Sequence, residues 1–279
     1  INQNFTLYCP SKGNCWYFLP WDYDGALGFT SQPDQKGVAS LHLRWFQGVA
    51  NWWDSILHKR FLKCPGNVAA LKAKIEELKT TIFTQEKIKS LLAGYHYTVK
   101  SYVSRSPDLE NLGIAFPEAG KTVASSNPLS DFDEEYNRLP SVIEASYQTF
   151  CSTLGRPMPF HLGSIESEEN RTQTVFYWDK SFSLTGDQIR YDFFISKTPD
   201  FEKKSLVFES LNLSDLQVSS SCSGTAMLSI SSGNVPQGPI YWKIIARSEK
   251  NPKENWQTAF EHIEKNGSLF DGVRAFVKP

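Results

Sequence analysis

The hydrophobic repeat changes period at one place in this chain, the stretch GRPMPF, Gly155–Phe160, and that change limits every fold available to it. Ahead of it, apolar residues recur every three to four positions. Leu43, Phe46, Ala50, Trp53, Leu57 and Phe61 fall on one helical stripe, and Leu71, Ile75 and Leu78 form another. TQEKIKSLLAGYHYTVKSYVSR predicts a third helix capped by Thr84, and EEYNRLPSVIEASYQTFCSTL a last one, with Pro140 near a first turn or at a kink. A polar stretch from Ser106 to Asp131 separates these two.

Beyond Phe160 the period is two. TVFYW, IRYDFFIS, LVFES, AMLSIS, IYWKIIARS, WQTAF and GVRAFV are short alternating or aromatic runs divided by turn-rich segments such as TGDQ and SSGNVPQG. Seven such runs predict an antiparallel sandwich with its own core, because a strand buries one face where a helix buries a stripe. The chain therefore reads as multidomain α+β. A hairpin-plus-helices domain over 1–159 precedes an all-β immunoglobulin-like sandwich over 160–279.

Charge narrows the partners. Lys and Arg number 29 against 30 Asp and Glu, a net charge of −1 that argues against a broad nucleic-acid footprint. No apolar run reaches the roughly 18–20 residues that a membrane-spanning helix needs. The opening INQNFTLY has neither Met nor a charged-then-apolar leader, which is read as an internal cut rather than a processed signal peptide. Five cysteines, Cys9, Cys15, Cys64, Cys151 and Cys222, show no zinc-ligand spacing, so a bound metal has to use oxygen ligands. Cys9 and Cys15 are either a cross-strand disulfide or two thiols, and the other three are expected as small buried hydrophobes. Trp45, Trp52 and Trp53 are expected to pack in a core, and His42, His58, His96, His161 and His262 to be structural or at the surface.

The first residues predict a hairpin: FTLYC, the turn-rich PSKGN, then CWYFLPWDYDG. If Cys9 stands opposite Cys15, Asn4 faces Pro20 and Asn2 faces Asp22. Asn4, Asp22 and Asp24 then share one side of its open end. Two carboxylates placed two residues apart repel, and a hard divalent cation bound through oxygen would offset that repulsion. The competing role for Asp22 and Asp24 is a turn cap ahead of Gly25.

NQNFTLYCPSKGNCWYFLPWDYDGALGF resembles the CotH (spore-coat H) kinase family, in which an Asn-aromatic-x-Leu-Tyr strand is followed by an aromatic strand ending Pro-Trp-Asp-x-Asp. IYWKIIARSEKNPKENWQTAF is similar to an appended fibronectin type III-like module. The resemblance implies an atypical kinase fold that transfers phosphate from ATP to hydroxyl side chains of secreted or spore-surface proteins, at an extracellular or spore or cell-surface location. It implies Mg²⁺ or Mn²⁺ with ATP as cofactors, and metal roles for Asp22, Asn4 and Asp24. The proton-accepting Asp of such kinases lies five residues before the metal-binding Asn, ahead of Ile1 here, and the nucleotide-binding lobe also precedes the chain. The chain is thus read as the C-terminal part of the domain, inactive by itself. The alternative is a non-catalytic extracellular adhesion or scaffold module.

Overall fold

The structure, a computed structural model, describes residues 5–21, 48–111, 128–167, 172–215, 217–218 and 224–278. The chain divides into two compact units, one of Ile1–Gln35 with Leu71–Gln148 and one of Lys36–Ala70 with Thr149–Pro279.

The first unit begins with an antiparallel hairpin, β1 (Phe5–Tyr8) and β2 (Tyr17–Pro20). Its helices are α2 (Pro65–Thr81, within this unit from Leu71), α3 (Gln85–Val103), the single turn α4 (Asp108–Asn111) and α5 (Pro128–Thr153, within this unit to Gln148); α1 (Ile56–Leu62) belongs to the second unit. The apolar spacing has the expected outcome in α2, where Leu71, Ile75 and Leu78 are half-buried while most residues between them are exposed. Thr84 caps α3 as expected, its hydroxyl accepting from the Lys87 N–H at 3.3 Å. Pro140 stands in the interior of α5, whose start lies further upstream than the pattern indicated. Two polar links tie the helices: the Lys79 ammonium of α2 donates to Glu144 of α5 at 2.6 Å and lies over the Tyr147 ring, and α3 meets α5 at Asp133.

The second unit contains two antiparallel sheets, an arrangement compatible with a β-sandwich. One is ordered β3 (Leu162–Glu166), β4 (Gln173–Asp179), β7 (Thr225–Ser231). The other follows β12 (Val273–Lys278), β8 (Gly238–Ser248), β5 (Ile189–Ser196), β6 (Leu206–Leu213), with β9 (Trp256–Thr258) also on β8. All seven expected runs form strands. In β8 the even-numbered residues Ile240, Trp242, Ile244 and Ala246 are buried, and the odd ones between them are half-buried. Phe176 of β4 meets Phe193 of β5 and Trp242 of β8 edge to face, with ring centroids 4.9 and 5.2 Å apart, so both sheets contribute to one core. Neither β3 nor the hairpin of β10 (His262–Lys265) and β11 (Ser268–Asp271) was among the expected strands.

The segment ahead of α2 differs from the single helix that its spacing predicts. Among its described residues, a 3₁₀ turn at Gly48–Trp52 is followed by α1 after a break at Trp53–Ser55. Gly48 has φ +60°, which an α-helix does not admit, and a Cβ there would lie 1.9 Å from the Thr153 hydroxyl at the end of α5. The break changes which residues turn inward: Trp53 and Leu62 are buried, whereas Leu57 and Phe61, expected on the buried stripe, are exposed. Trp53 stacks on Phe182 of the β4–β5 connection at 5.5 Å, which confirms it as a core residue. Leu43, Phe46 and Trp45 lie outside the described residues. Among those described, no helix is long and apolar enough to cross a membrane.

Candidate functional site

The hairpin register differs by one residue from the expected one. Phe5 faces Pro20, Thr6 faces Leu19 and Tyr8 faces Tyr17, where Asn4 was expected opposite Pro20. The loop from Cys9 to Trp16 holds an even number of residues, with a turn in which the Gly13 N–H donates to the Pro10 carbonyl at 3.1 Å, whereas a Cys9–Cys15 pairing requires an odd loop. A one-residue slip exchanges the two faces of a strand relative to its partner. The geometric reason for grouping Asn4 with Asp22 therefore does not hold. Asn4, Asp22 and Asp24 themselves lie outside the described residues, as does Asn2.

Cys9 and Cys15 are free thiols, and the Cys9 thiol points at the Pro10 and Gly13 carbonyls of the turn. Cys64 is exposed and Cys151 half-buried, so neither is the fully buried hydrophobe expected; Cys222 lies outside the described residues.

The first unit also holds a charged centre that sequence reasoning missed. His96 and Lys100 are four residues apart on α3 and so share a face. Both meet Asp133 of α5: His96 Nε2 lies 2.7 Å from Oδ1, and the Lys100 ammonium donates to Oδ1 at 2.7 Å and to Oδ2 at 2.5 Å. Tyr136, one turn further along α5, sets its ring edge to face with His96 at 4.9 Å. The only advance signal was the His96/Lys100 spacing, since Asp133 is more than thirty residues away. His96 is thus structural, as expected, with a definite partner.

The Lys100 ammonium first, and the His96 imidazole second, hold the Asp133 carboxyl below its ordinary value. A carboxyl depressed by native partners contributes stability above its unfolded value, about 3.9, and that contribution is lost as pH falls through the folded value. The α3–α5 link should accordingly persist throughout the neutral range and fail only in acid. Carboxyl-carbon NMR should show Asp133 titrating below about 3.9, and Lys100→Gln should move its midpoint up toward that value. An unchanged midpoint in the variant would remove Lys100 as the cause.

In the second unit the carboxylates act within the sheet. Asp192, largely buried on β5, accepts from Arg247 Nε of β8 at 2.5 Å and from the Asn212 N–H of β6 at 2.9 Å, and so ties three strands. Asp187 pairs with Lys250 and accepts from the Ser248 hydroxyl at 3.0 Å.

With an aromatic hairpin and a set of polar-linked helices followed by two antiparallel sheets, the chain is of a mixed α+β class. Residues 1–149 match the family described as CotH kinase protein, and the chain belongs to that family. A similar solved structure is a DUF3823 family protein from Bacteroides ovatus, at 12% identity and a TM-score of 0.27; the likeness covers 37% of this chain and 54% of that one, about half its length. No match is found among curated proteins.

Proposed function

We propose that this protein serves ATP-dependent phosphate transfer to hydroxyl side chains of secreted or spore-surface proteins. The observation that carries this is the membership of residues 1–149 in the CotH kinase family. In such a transfer the substrate hydroxyl oxygen bonds to the γ-phosphorus of ATP, the bond to the bridging oxygen breaks, ADP leaves and a carboxylate takes the hydroxyl proton. The residues assigned to hold Mg²⁺ or Mn²⁺ are Asp22 and Asn4, with Asp24 beside them. Two carboxylates and an amide oxygen suit a hard divalent cation, which supplies charge neutralisation on the transferred phosphate. With the register argument withdrawn, support for these ligands is their place in the Asn-x-Thr-Leu-Tyr and Pro-Trp-Asp-x-Asp stretches.

The sandwich from Phe160 is proposed as a fibronectin type III-like spacer or recognition module of an extracellular or cell-surface protein, following a kinase-family part over 1–159. Its support is the pair of antiparallel sheets, of three and five strands, around a common core. Incubating the full-length protein with labelled ATP, Mg²⁺ and a serine-rich surface protein should yield phosphoserine, and EDTA should stop the reaction. A folded full-length protein that transfers no phosphate with either metal would reject the enzyme reading in favour of a scaffold.

A further inference from the structure

Apart from the hairpin, α3 and α5 border a cleft of about 520 Å³, within the range of about 300–1,000 Å³ usual for small-ligand sites. Its polar lining is Lys89 and His96 from α3 with Asp133, Tyr136 and Asn137 from α5; Leu92, Ala93 and Pro140 are its apolar part. The carboxylate in this lining is already engaged, since Asp133 takes both Lys100 and His96 at 2.5–2.7 Å. Lys89 is not engaged: it makes no ion pair or hydrogen bond among the described side chains, and the same holds for the Asn137 amide and the Tyr136 hydroxyl. The cleft thus offers an ammonium without a counter-ion among the described residues, an amide N–H and a phenol O–H, beside an apolar wall. Pro140 has no N–H to give the Tyr136 carbonyl, so the helix lacks one bond at the level of the cleft.

Donors of this kind, with one positive charge uncompensated and no competing free carboxylate among the described lining residues, recognise an oxyanion, and the apolar wall suits the body that bears it. We propose that this cleft binds a small organic oxyanion, a phosphate monoester or a carboxylate on an apolar body, held by Lys89 and Asn137.

Titration calorimetry of the full-length protein in EDTA, with phenyl phosphate and with benzoate as probes, tests this. Saturable binding of at least one is expected, with a shift of the His96 ring-proton resonances on titration. Tighter binding of phenyl phosphate assigns the site to phosphate monoesters, and tighter binding of benzoate to carboxylates. Lys89→Gln removes a charge-assisted bond and should weaken binding about tenfold or more, and Asn137→Ala by a few-fold. Both residues are exposed, so both variants should fold as the parent does. The proposal is overturned if neither probe saturates, if both variants bind like the parent, or if binding leaves the His96 resonances unmoved.

Discussion

Replacing Asp22 by alanine in the full-length protein should abolish ATP-dependent phosphate transfer and leave the far-UV circular dichroism spectrum unchanged. Phosphoryl transfer depends on positioning and on neutralising charge at the phosphate oxygens, and a bound divalent ion supplies several kcal/mol of that stabilisation. Each ~1.4 kcal/mol is a factor of ten in rate, so losing a metal-binding carboxylate should lower the rate about a thousandfold or more. The loss should fall on kcat and on the Mg²⁺ concentration needed. The fold should be spared, because the neighbouring strand β2 is exposed along its length and is followed by the exposed Trp21. Asp24→Ala should have a smaller effect if Asp24 only supports the site. Full activity in Asp22→Ala would return that residue to the turn-cap role.

The parts of the fold visible in the sequence are those fixed by local periodicity. Period two marked most of the strand runs that feed the main core, because Phe176, Trp242 and their neighbours alternate with half-buried or exposed residues, but it did not mark β3, which supplies Leu162. The Thr84 cap was visible for the same reason, being a contact across three residues. The β10–β11 hairpin was missed although its signal was present. Asn266-Gly267 sits between its strands, with both φ values positive, 54° and 71°, as a two-residue hairpin turn requires. Its flanking runs are short and polar, so alternation was too weak to mark them.

Loop parity and backbone breaks were harder to read. Whether a hairpin loop holds an odd or even number of residues depends on where the strands stop. Apolar spacing runs unchanged through Trp53–Ser55 even though the 3₁₀ turn ends there and α1 starts anew. The charged centre at Asp133 was out of reach for another reason: it joins side chains from different helices, and no periodicity connects them. Asp22, Asn4 and Asp24 came from the motif, and the correction to the register removes the only independent geometric support they had.

Trp53→Ala should be the most damaging single truncation in the segment ahead of α2. Trp53 is 2% exposed, its ring stacked on Phe182 at an interplanar angle of 22°, with the Lys59 ammonium 5.3 Å from its ring centroid. Removing a buried indole forfeits its transfer free energy and leaves a cavity, together about 3–5 kcal/mol. Domains are stable by only about 5–15 kcal/mol, so about a fifth or more of the stability of the second unit is at stake. The urea midpoint followed by circular dichroism in the β-sheet band should fall accordingly, and Trp53→Phe should recover part of the loss by keeping a ring against Phe182. Phe182 lies between β4 and β5, so the effect should register as unfolding of the sheets rather than as fraying of α1. A loss below about 1 kcal/mol, the range of substitutions away from a core, would mean that residues 48–70 lie against the sheets without stabilising them, and that the strands from Leu162 onward hold their core unaided.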